Sequence, residues 1–378
     1  MLHGKGVRDS GGDRGKRMKE NGTGSYRLGR RQFLAASALA SAGLLLSGCR
    51  PEAQQASQGG GSGGSGGNFP DTPEWNFVFV NHVTTNPFFV PTQYGIEDAQ
   101  ALLGTTSQWT GSETSVVREM VDAMNSAISG GANGIAVSVV DPKAFNDPIQ
   151  KALDQDIPVI AYNANGEGPG TNPALAYVGQ DLYQSGVEMG NRIVDLVGEG
   201  LVALFIATPG QLNIQPRIDG AKQAIEDSGA NIEVQQVTTG AELPEERSRI
   251  EAWYNGHKDV AGMFAVDAGS TQGVAQVMEQ FGLHEQGVRA GGYDLLPEIL
   301  QLMSENHIDF TIDQQPYLQG FFPVMQLYLY NLSGGVTGPA ETNTGLIFIT
   351  PDTVDRYLQT ESRFEGDSEQ QKIVKAPA

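Results

Sequence analysis

Short apolar segments alternate with amphipathic segments along most of this chain, and this alternation restricts the folds open to it. Between residues 76 and 349 the short segments are rich in Val, Ile, Phe and Ala, and the stretches between them have helical spacing. Several short segments are apolar throughout, which is typical of strands buried on both faces of a parallel sheet. The pattern predicts an α/β protein with doubly wound sheets.

The predicted elements end mostly at Gly or Pro, which interrupt helices and strands. The predicted strands are Asn76–Asn81, Gly134–Val139, Pro158–Tyr162, Ala174–Val178, Leu201–Ala207, Glu233–Thr238, Val260–Val266, Val288–Tyr293, Ile308–Ile312 and Leu346–Ile349. The predicted helices are 91–103, 112–129, 142–154, 181–198, 215–228, 242–255, 270–282, 295–304 and 317–332.

A weak internal repeat indicates two similar lobes. The strand Val78–Asn81 leads into a polar loop with Asn86 and then a helix, and Leu204–Ala207 leads in the same way into the helix that carries Arg217. Each unit would begin one α/β lobe. Ligands of open α/β sheets bind at the carboxyl ends of the strands, so we expect a site in the crevice between the lobes.

The N-terminal region has the features of an export signal. Arg30 and Arg31 precede the apolar and small-residue run 35–47, which ends near Cys49, the only cysteine. This run is too short to span a bilayer and resembles a twin-arginine signal peptide with a lipobox. We expect export by the twin-arginine pathway and lipidation of Cys49, which would place the protein at the outer face of the cytoplasmic membrane or in the periplasm.

The rest of the domain assignment follows from composition. Residues 1–48 would be the signal peptide, and 49–73 the lipidated cysteine with a Gly/Ser-rich tether. Such a tether cannot bury a core and behaves as a flexible coil. Residues 359–378 would form a charged C-terminal tail.

The acidic net charge of the chain restricts the partners that it can bind. The net charge is −20, and because residues 1–48 hold 9 Lys or Arg and 3 Asp or Glu, the remainder has 15 Lys or Arg against 41 Asp or Glu. An acidic surface repels nucleic acid and anionic lipid, so we expect no nucleic-acid partner and membrane attachment only through the lipid anchor. Basic residues are scattered, which argues against an anionic ligand.

Common enzyme motifs are absent from the sequence. There is no GxxxxGK[ST], no HExxH and no GxGxxG that opens a helix, and G-x-S-x-G occurs only in the Gly/Ser-rich segment. The histidines are not spaced as metal pairs. We therefore expect no catalytic residues, metal or cofactor, and we expect Glu245 and Glu246 to lie on a solvated helix face.

Eight segments of the chain share their order and spacing with one known family. They are NHVTTNPFFVPTQYGIED (81–98), GGANGIAVSVVDPKAF (130–145), IPVIAYNANG (157–166), YVGQD (177–181), QPRIDGAKQAI (215–225), FAVDAG (264–269), GGYDLLPE (291–298) and TIDQQPYLQG (311–320). Over about 75–355 the chain resembles the solute-binding proteins of the ribose/monosaccharide class, the type I periplasmic binding proteins that serve ABC importers.

The resemblance implies two doubly wound, Rossmann-like lobes joined by a three-segment hinge. Lobe 1 would comprise 74–178 plus 315–343, and lobe 2 would comprise 179–314 plus 344–358. The hinge segments would lie near 178, 314 and 344, where they would permit closure around a ligand.

The same resemblance implies a set of ligand-binding residues. A neutral sugar needs paired donors and acceptors for its hydroxyls and an aromatic face for its ring. The main candidates are Asn86, Phe88, Phe89, Asn163, Arg217, Asp267, Asp294 and Gln314. Four further candidates are His82 as a polar contact, Trp109 as a stacking wall, Ser138 and Tyr293.

Structural roles are open alternatives for the polar candidates. Asn86 could cap the helix over 91–103, and Asp294 could cap the helix over 295–304. Gln314 could make a hinge hydrogen bond instead of a ligand contact.

The same holds for the remaining candidates. Phe88 and Phe89 could fill the core. Arg217 could form a surface ion pair. Either role would remove the residue from the predicted site.

Two positions depart from the ribose-type pattern. Asn163-Ala164 replaces the Asp-Arg pair that is frequent in relatives, and Asp267 replaces an Asn. Losing the guanidinium removes a bidentate donor. A hexose, a polyol or a modified sugar is therefore as compatible with the sequence as a pentose.

The implied function is capture of a monosaccharide or polyol by a monomeric lipoprotein and its delivery to an ABC permease with its ATPase subunit. One alternative is a sugar or quorum-signal receptor for a sensor or chemotaxis pathway without transport. Another is a secreted carbohydrate-active enzyme, which would need two carboxylates ~5–9 Å apart. Asp267 and Asp294 are the plausible pair.

Overall fold

A computed structural model describes residues 71–166, 171–336, 338–358 and 363–364. The predicted signal peptide with Arg30 and Arg31, the lipidation site Cys49 and the tether lie outside the described residues. So does almost all of the predicted tail 359–378.

The first sheet has six parallel strands. They are β1 (Asn76–Asn81), β2 (Thr106–Gly111), β3 (Gly134–Val137), β4 (Val159–Tyr162), β5 (Ala176–Gly179) and β11 (Glu341–Asn343). Their order across the sheet is β11-β5-β4-β3-β1-β2. The side chains of β3 and β4 are buried throughout, as expected for central strands covered on both faces.

The second sheet repeats this arrangement with one antiparallel edge. Its strands are β6 (Glu199–Ile206), β7 (Asn231–Thr238), β8 (Gly262–Ala265), β9 (Arg289–Tyr293), β10 (Phe310–Asp313) and β12 (Ile347–Ile349). Their order is β12-β10-β9-β8-β6-β7, and β12 runs antiparallel to β10.

Helices pack around each sheet and complete two lobes. Lobe 1 contains the first sheet with α1 (Val90–Leu103), α2 (Val117–Ser129), α3 (Asn146–Leu153) and α9 (Pro316–Ser333). Lobe 2 contains the second sheet with α4 (Leu182–Val197), α5 (Gln215–Ser228), α6 (Leu243–Gly256), α7 (Ala268–Phe281), α8 (Pro297–Ser304) and α10 (Asp355–Leu358). The chain passes between the sheets after β5, after β10 and between β11 and β12. Among the described helices, none has the length and apolarity needed to cross a bilayer.

The predicted fold class, two doubly wound α/β lobes, is confirmed. Every predicted strand and helix is present with ends shifted by a few residues, but β2, β11 and α10 were not predicted. The strands β2 and β11 lie at the two edges of the first sheet, and their side chains are only partly buried or exposed. Edge strands bury fewer apolar side chains, so their sequences lack the pattern of the central strands.

A close helix pair supports the first lobe. A Cβ added at Gly95 in α1 would overlap the carbonyl oxygen of Tyr317 in α9, and one at Gly320 in α9 would overlap that of Thr92 in α1. The two backbones therefore touch because both helices carry glycine at the crossing.

Lobe 2 contains a similar glycine crossing between α4 and α5. A Cβ at Gly220 in α5 would overlap the carbonyl oxygen of Tyr183, and one at Gly186 in α4 would overlap that of Arg217. Close approach of α4 thus fixes the first turn of α5, where Arg217 is located.

Candidate functional site

A cavity of about 50 Å³ lies between the carboxyl ends of the two sheets. This volume is below the ~300–1,000 Å³ that is usual for small-molecule sites. All eight main candidates line it, together with His82. The lining residues are His82, Asn86, Phe88, Phe89, Asn163, Asn213, Ile214, Arg217, Asp267, Ala268, Asp294 and Gln314.

A second compartment adjoins the first. It measures about 50 Å³ and shares six lining residues with the cavity, while Ser115, Thr208 and Glu246 are among those that it adds. The site therefore extends from the hinge side toward α6.

Trp109 and Ser138 lie one layer behind the cavity wall. Trp109 lies within β2, donates from Nε1 to the carbonyl oxygen of Thr84 at 3.1 Å and packs against Phe89 with ring centroids 5.7 Å apart. Ser138 is fully buried, and its Oγ is 3.1 Å from Nδ1 of His82. Both residues support side chains that line the cavity.

The lobe 1 side of the cavity is mainly aromatic and uncharged. Phe88 and Phe89 are buried and pack edge to face at 4.7 Å between centroids. Asn86 caps the short 3₁₀ turn that carries them, because its Oδ1 accepts from the backbone N–H of Phe88 at 2.9 Å. The capping and core roles considered for these residues are thus present in addition to their position at the cavity.

Arg217 is buried, so the alternative of a surface ion pair is wrong. Its side chain is only 2% exposed, Nη1 donates to the carbonyl oxygen of Val266 at 2.8 Å, and Nη2 donates to Oε1 of Gln180 at 3.0 Å. The guanidinium lies 4.0 Å above the ring of Tyr293. Tyr293 therefore supports Arg217 from behind, and its hydroxyl bonds to Ser185 at 2.8 Å.

Asp294 follows β9 in a left-handed backbone conformation with φ 78°. The alternative of a helix cap is wrong, because α8 begins at Pro297 and is preceded by Leu296 at the cap position. Nε2 of Gln314 donates to Oδ1 of Asp294 at 2.7 Å. Burial raises the pKa of Asp294 to about 7, and the nearby Arg217 guanidinium opposes this shift.

Asp267 serves both α7 and the cavity. Its carboxylate accepts the backbone N–H of Ser270, which makes Asp267 the N-cap of α7, and the backbone N–H of Ala207, each at 2.9 Å. Burial raises the pKa of Asp267, and these hydrogen bonds to the carboxylate oppose the shift.

Glu246 corrects the expectation of a solvated helix face. The residue is only 2% exposed, and its Oε2 accepts from the hydroxyl of Ser270 at 2.9 Å. Burial, followed by the charge of Asp267, raises the pKa of Glu246 to about 10. Glu245, by contrast, is half-exposed and pairs with Arg249 at 2.6 Å, as expected.

A series of hydrogen bonds surrounds the cavity and joins both lobes through the hinge. Because Nδ2 of Asn213 is a donor, Nε2 of His82 accepts from it and Nδ1–H donates onward. The members, in donor-to-acceptor order, are Asn213, His82, Ser138, Asn163, Gln319, Gln314 and Asp294. Burial lowers the pKa of His82 to about 3, so the imidazole is neutral.

Asn213, Gln180 and Gln319 were not predicted as parts of this site. Asn213 lines the cavity, Gln180 holds Arg217, and Gln319 links Asn163 to Gln314. Their amides lie in segments that were already assigned as loop, crossover or helix. Only their burial in the folded protein distinguishes them from solvated amides.

The lobes touch on the side of the cavity away from the hinge. The hydroxyl of Ser115 donates to Oε1 of Gln211 at 2.6 Å, and Nε2 of Gln211 donates back to the Ser115 carbonyl at 3.0 Å. The backbone N–H of Leu212 donates to the carbonyl of Val140 at 2.8 Å. With the His82–Asn213 contact, these bonds close the cleft over the cavity.

Two buried polar atoms of the cavity lining have no hydrogen-bond partner within the described part of the chain. They are Nε of Arg217, a donor, and Oδ1 of Asn213, an acceptor. A buried unpaired group costs ~1–3 kcal/mol, so a ligand that both donates and accepts would be stabilised here.

One cluster could hold a cation, at the surface of lobe 2. Ligand atoms of Glu279, Glu305 and His307 lie within 4.8 Å of one another. Both glutamates are exposed, and none of these residues lines the cavity.

The architecture agrees with comparison to known proteins. The periplasmic binding protein domain family matches residues 77–334. The chain belongs to this family. Its members are binding proteins, which agrees with a ligand cavity between two lobes.

Two relatives show which ligands occur on this fold. The chain is 53% identical over 311 residues to the xylose/arabinose-binding protein XylF of Sulfolobus acidocaldarius, covering 79% of this chain and 76% of the relative. An ABC transporter solute-binding protein of Burkholderia graminis, solved with D-arabinose, has a TM-score of 0.70 and 25% identity and covers 77% of this chain and 100% of that protein.

A more distant structure shows the same fold. A carbohydrate transporter of Acidothermus cellulolyticus, solved with myo-inositol, has a TM-score of 0.69 and 23% identity. The match covers 78% of this chain and 100% of that protein. The two-lobe architecture is therefore common to proteins with different bound ligands.

Proposed function

We propose that this protein captures a pentose between its two lobes and delivers it unchanged to an ABC importer. The observation that carries the proposal is the cavity itself. Its lining includes Arg217, whose Nε is unpaired, and Asn213, whose Oδ1 is unpaired, beside buried phenylalanine rings. A sugar hydroxyl donates and accepts at once, and the C–H face of a sugar ring packs on an aromatic ring.

The choice of a pentose narrows the broader expectation of a monosaccharide or polyol. The relative with 53% identity is a xylose/arabinose-binding protein, and the protein solved with D-arabinose has 25% identity. The closed cavity is also small, at about 50 Å³, which favours a small ligand.

The hydrogen bonds that hold the carboxylates of Asp267 and Asp294 fit a role in binding rather than in catalysis. Asp267 is held by backbone N–H groups of Ala207 and Ser270, and Asp294 is held by Gln314. We propose that both accept ligand hydroxyls. Incubation with aryl xylosides or arabinosides should therefore release no product, and product formation would instead support the enzyme alternative.

Closure around the ligand is the proposed mechanism. The three crossings near 178, 314 and 344 act as the hinge, and ligand contacts from both lobes favour the closed form. Only the difference in ligand affinity between the open and closed forms drives closure. The closed form then docks on a permease that is powered by an ATPase subunit.

A binding screen tests the proposed function. Isothermal titration with xylose, arabinose, ribose, glucose and myo-inositol should show binding of xylose or arabinose at one site. In thermal unfolding, a ligand at 100 times its dissociation constant should add ~2.7 kcal/mol of stability. Absence of binding to every sugar in the screen would refute the proposal.

Export and anchoring form a separate part of the proposal. We propose twin-arginine export, lipidation of Cys49 and a monomeric mature protein. Cys49→Ser should abolish labelling with an alkyne fatty acid and release the protein from membranes, and replacing Arg30 and Arg31 by Lys should block export. Size-exclusion chromatography with light scattering checks the monomer. Membrane association that survives Cys49→Ser would contradict the anchor.

A further inference from the structure

We propose that Glu246 is a positioning residue for ligand binding, a neutral carboxylic acid that donates a hydrogen bond to Asp267 and fixes its carboxylate at the cavity wall. The inference rests on the proposed function, because it concerns the same cavity. Glu246 itself lines the second compartment, beside Asp267 and His82.

The surroundings of Glu246 are built to hold its carboxyl group. The residue is 2% exposed, and a Cβ added at Gly269 would overlap both carboxyl oxygens. Glycine at this position therefore leaves the space that the acid fills. The hydroxyl of Ser270 lies 2.9 Å from Oε2 of Glu246 and 3.1 Å from Oδ2 of Asp267, and Thr239 contacts that hydroxyl at 2.8 Å.

One proton must be shared between Glu246 and Asp267. The two carboxyl groups meet at the Ser270 hydroxyl, at 2.9 and 3.1 Å, and two adjacent buried carboxylates would repel strongly if both were ionised. Asp267 already accepts two backbone N–H groups, which favour its ionised form. Glu246 has only the Ser270 hydroxyl as a donor, so the proton resides on Glu246.

No cation in the described residues offsets the charge of Glu246. On its own helix, Glu245 pairs with Arg249 and Arg247 bonds to Gln280 at the surface. Glu246 faces Asp267 at the start of α7, and it faces His82 across the second compartment. Burial keeps the imidazole of His82 neutral. Arg217 lines the first cavity only.

The consequence for binding concerns the geometry of Asp267. Its Oδ2 accepts from the N–H of Ala207, and its Oδ1 accepts from the N–H of Ser270. With Glu246 as a further donor, the carboxylate cannot rotate, and its remaining lone pair is available to a ligand hydroxyl. A side chain without a donor at position 246 would leave Asp267 less constrained.

The first test measures the shared proton without any ligand. The folded protein keeps a proton on Glu246 that the unfolded chain, with an ordinary pKa of 4.5, releases. The contribution of Glu246 to stability is therefore complete below pH 4.5 and is lost as pH rises toward 10. Between pH 5 and 9, the melting temperature of Glu246→Gln should fall less than that of wild type. Glu245→Gln, a matched neighbour, should follow wild type.

Two results of this test would overturn the inference. One is a Glu246→Gln profile as steep as that of wild type. The other is a flattened profile for Asp267→Asn alone, because the proton would then reside on Asp267. The melting measurement needs no sugar, so it tests the inference even if the proposed function is wrong.

The second test measures the positioning role with D-xylose as the probe. At pH 7, Glu246→Gln, which keeps an N–H donor, should bind within about threefold of wild type, and Glu246→Leu, which keeps volume but no donor, should bind at least tenfold more weakly. At pH 10.5, above the pKa of Glu246, wild type should weaken relative to Glu246→Gln, a comparison that does not depend on the Leu variant folding. Equal affinities of the Gln and Leu variants, or an unchanged wild-type affinity at pH 10.5, would refute the role. Absence of xylose binding by wild type would refute the proposed ligand instead.

Discussion

The two lobes present different chemistry to the same cavity although their folds are alike. Lobe 1 contributes phenylalanine rings and neutral groups, namely Phe88, Phe89, Asn86, Asn163 and His82. Lobe 2 contributes the ionisable groups Arg217, Asp267 and Asp294. The sheets share their strand order and a glycine-rich helix crossing, so the difference comes from the loops that follow the strands.

This contrast indicates that the two lobes contribute different interactions to ligand binding. The polar groups of lobe 2 are held by protein hydrogen bonds before any ligand arrives, as with Arg217 on Val266 and Gln180. Prearranged charged groups give directional, strong hydrogen bonds. The rings of lobe 1 supply apolar area whose effect depends less on angle. Substitutions in lobe 2 should therefore weaken binding more than those in lobe 1.

The largest effect is expected for Arg217→Ala. The change removes the buried guanidinium near Asp294 and should weaken xylose binding about 100-fold, because a hydrogen bond to a charged group contributes ~1.5–3 kcal/mol and its partners are left unpaired. Isothermal titration measures the effect. Arg118→Ala, at an arginine whose side chain is 90% exposed, is the control and should bind normally. Equal affinity of the two variants would contradict the role of lobe 2.

Next in size are the glycine crossings, which test the likeness of the lobes. Gly95→Ala in lobe 1 and Gly220→Ala in lobe 2 each place a Cβ against a carbonyl oxygen. Each should lower the free energy of unfolding by about 1–3 kcal/mol in denaturant titration. Gly256→Ala, where an added Cβ meets open space, should change it by less than about 1 kcal/mol. Tolerance of Ala at only one crossing would show that the lobes are not equivalent.

A smaller effect on binding is expected for Phe88→Ala. Loss of the ring should weaken xylose binding about tenfold, since an aromatic contact contributes ~0.5–1.5 kcal/mol beyond area burial. Phe88→Leu keeps part of the apolar area and should lie between Ala and wild type. A larger loss than that of Arg217→Ala, measured in the same titrations, would reverse the proposed division between the lobes.

The smallest effect is a pH dependence of binding through His82. Burial in the closed form lowers the pKa of His82 from 6.5 to about 3, so the imidazole must be neutral when the lobes close. The contribution of His82 to closure is complete above pH 6.5 and is lost as pH falls. Xylose affinity should drop by at most about tenfold per pH unit below pH 6.5. His82→Gln should show a weaker pH dependence, and Asp294→Asn reports the share of Asp294, whose pKa is about 7. An unchanged profile for His82→Gln would refute the coupling.

The central strands and the packed helices could be predicted from sequence because they are long or strongly apolar. The strand β1 begins and ends where the pattern predicts, whereas β2 and β11 at the sheet edges were not identified. Edge positions lack the burial on both faces that creates the apolar pattern.

The candidate site was predictable where a residue lies directly after a strand. Asn163, Asp267 and Asp294 follow β4, β8 and β9, and parallel strands bring their carboxyl ends to one edge. Trp109 and Ser138, in contrast, were assigned to the cavity lining but lie behind it. Sequence does not show which of two successive layers a buried side chain occupies.

The sequence by itself determined two α/β lobes and a shared edge for the polar loop residues, since apolar period and strand direction are local properties of the chain. Only the tertiary structure decided that Glu246 is buried against Asp267, while its neighbour Glu245 is half-exposed. It also decided that Asn213 contacts His82 from the opposite lobe. The physical reason is that burial and pairing of a polar side chain depend on groups distant in sequence, which no local pattern encodes.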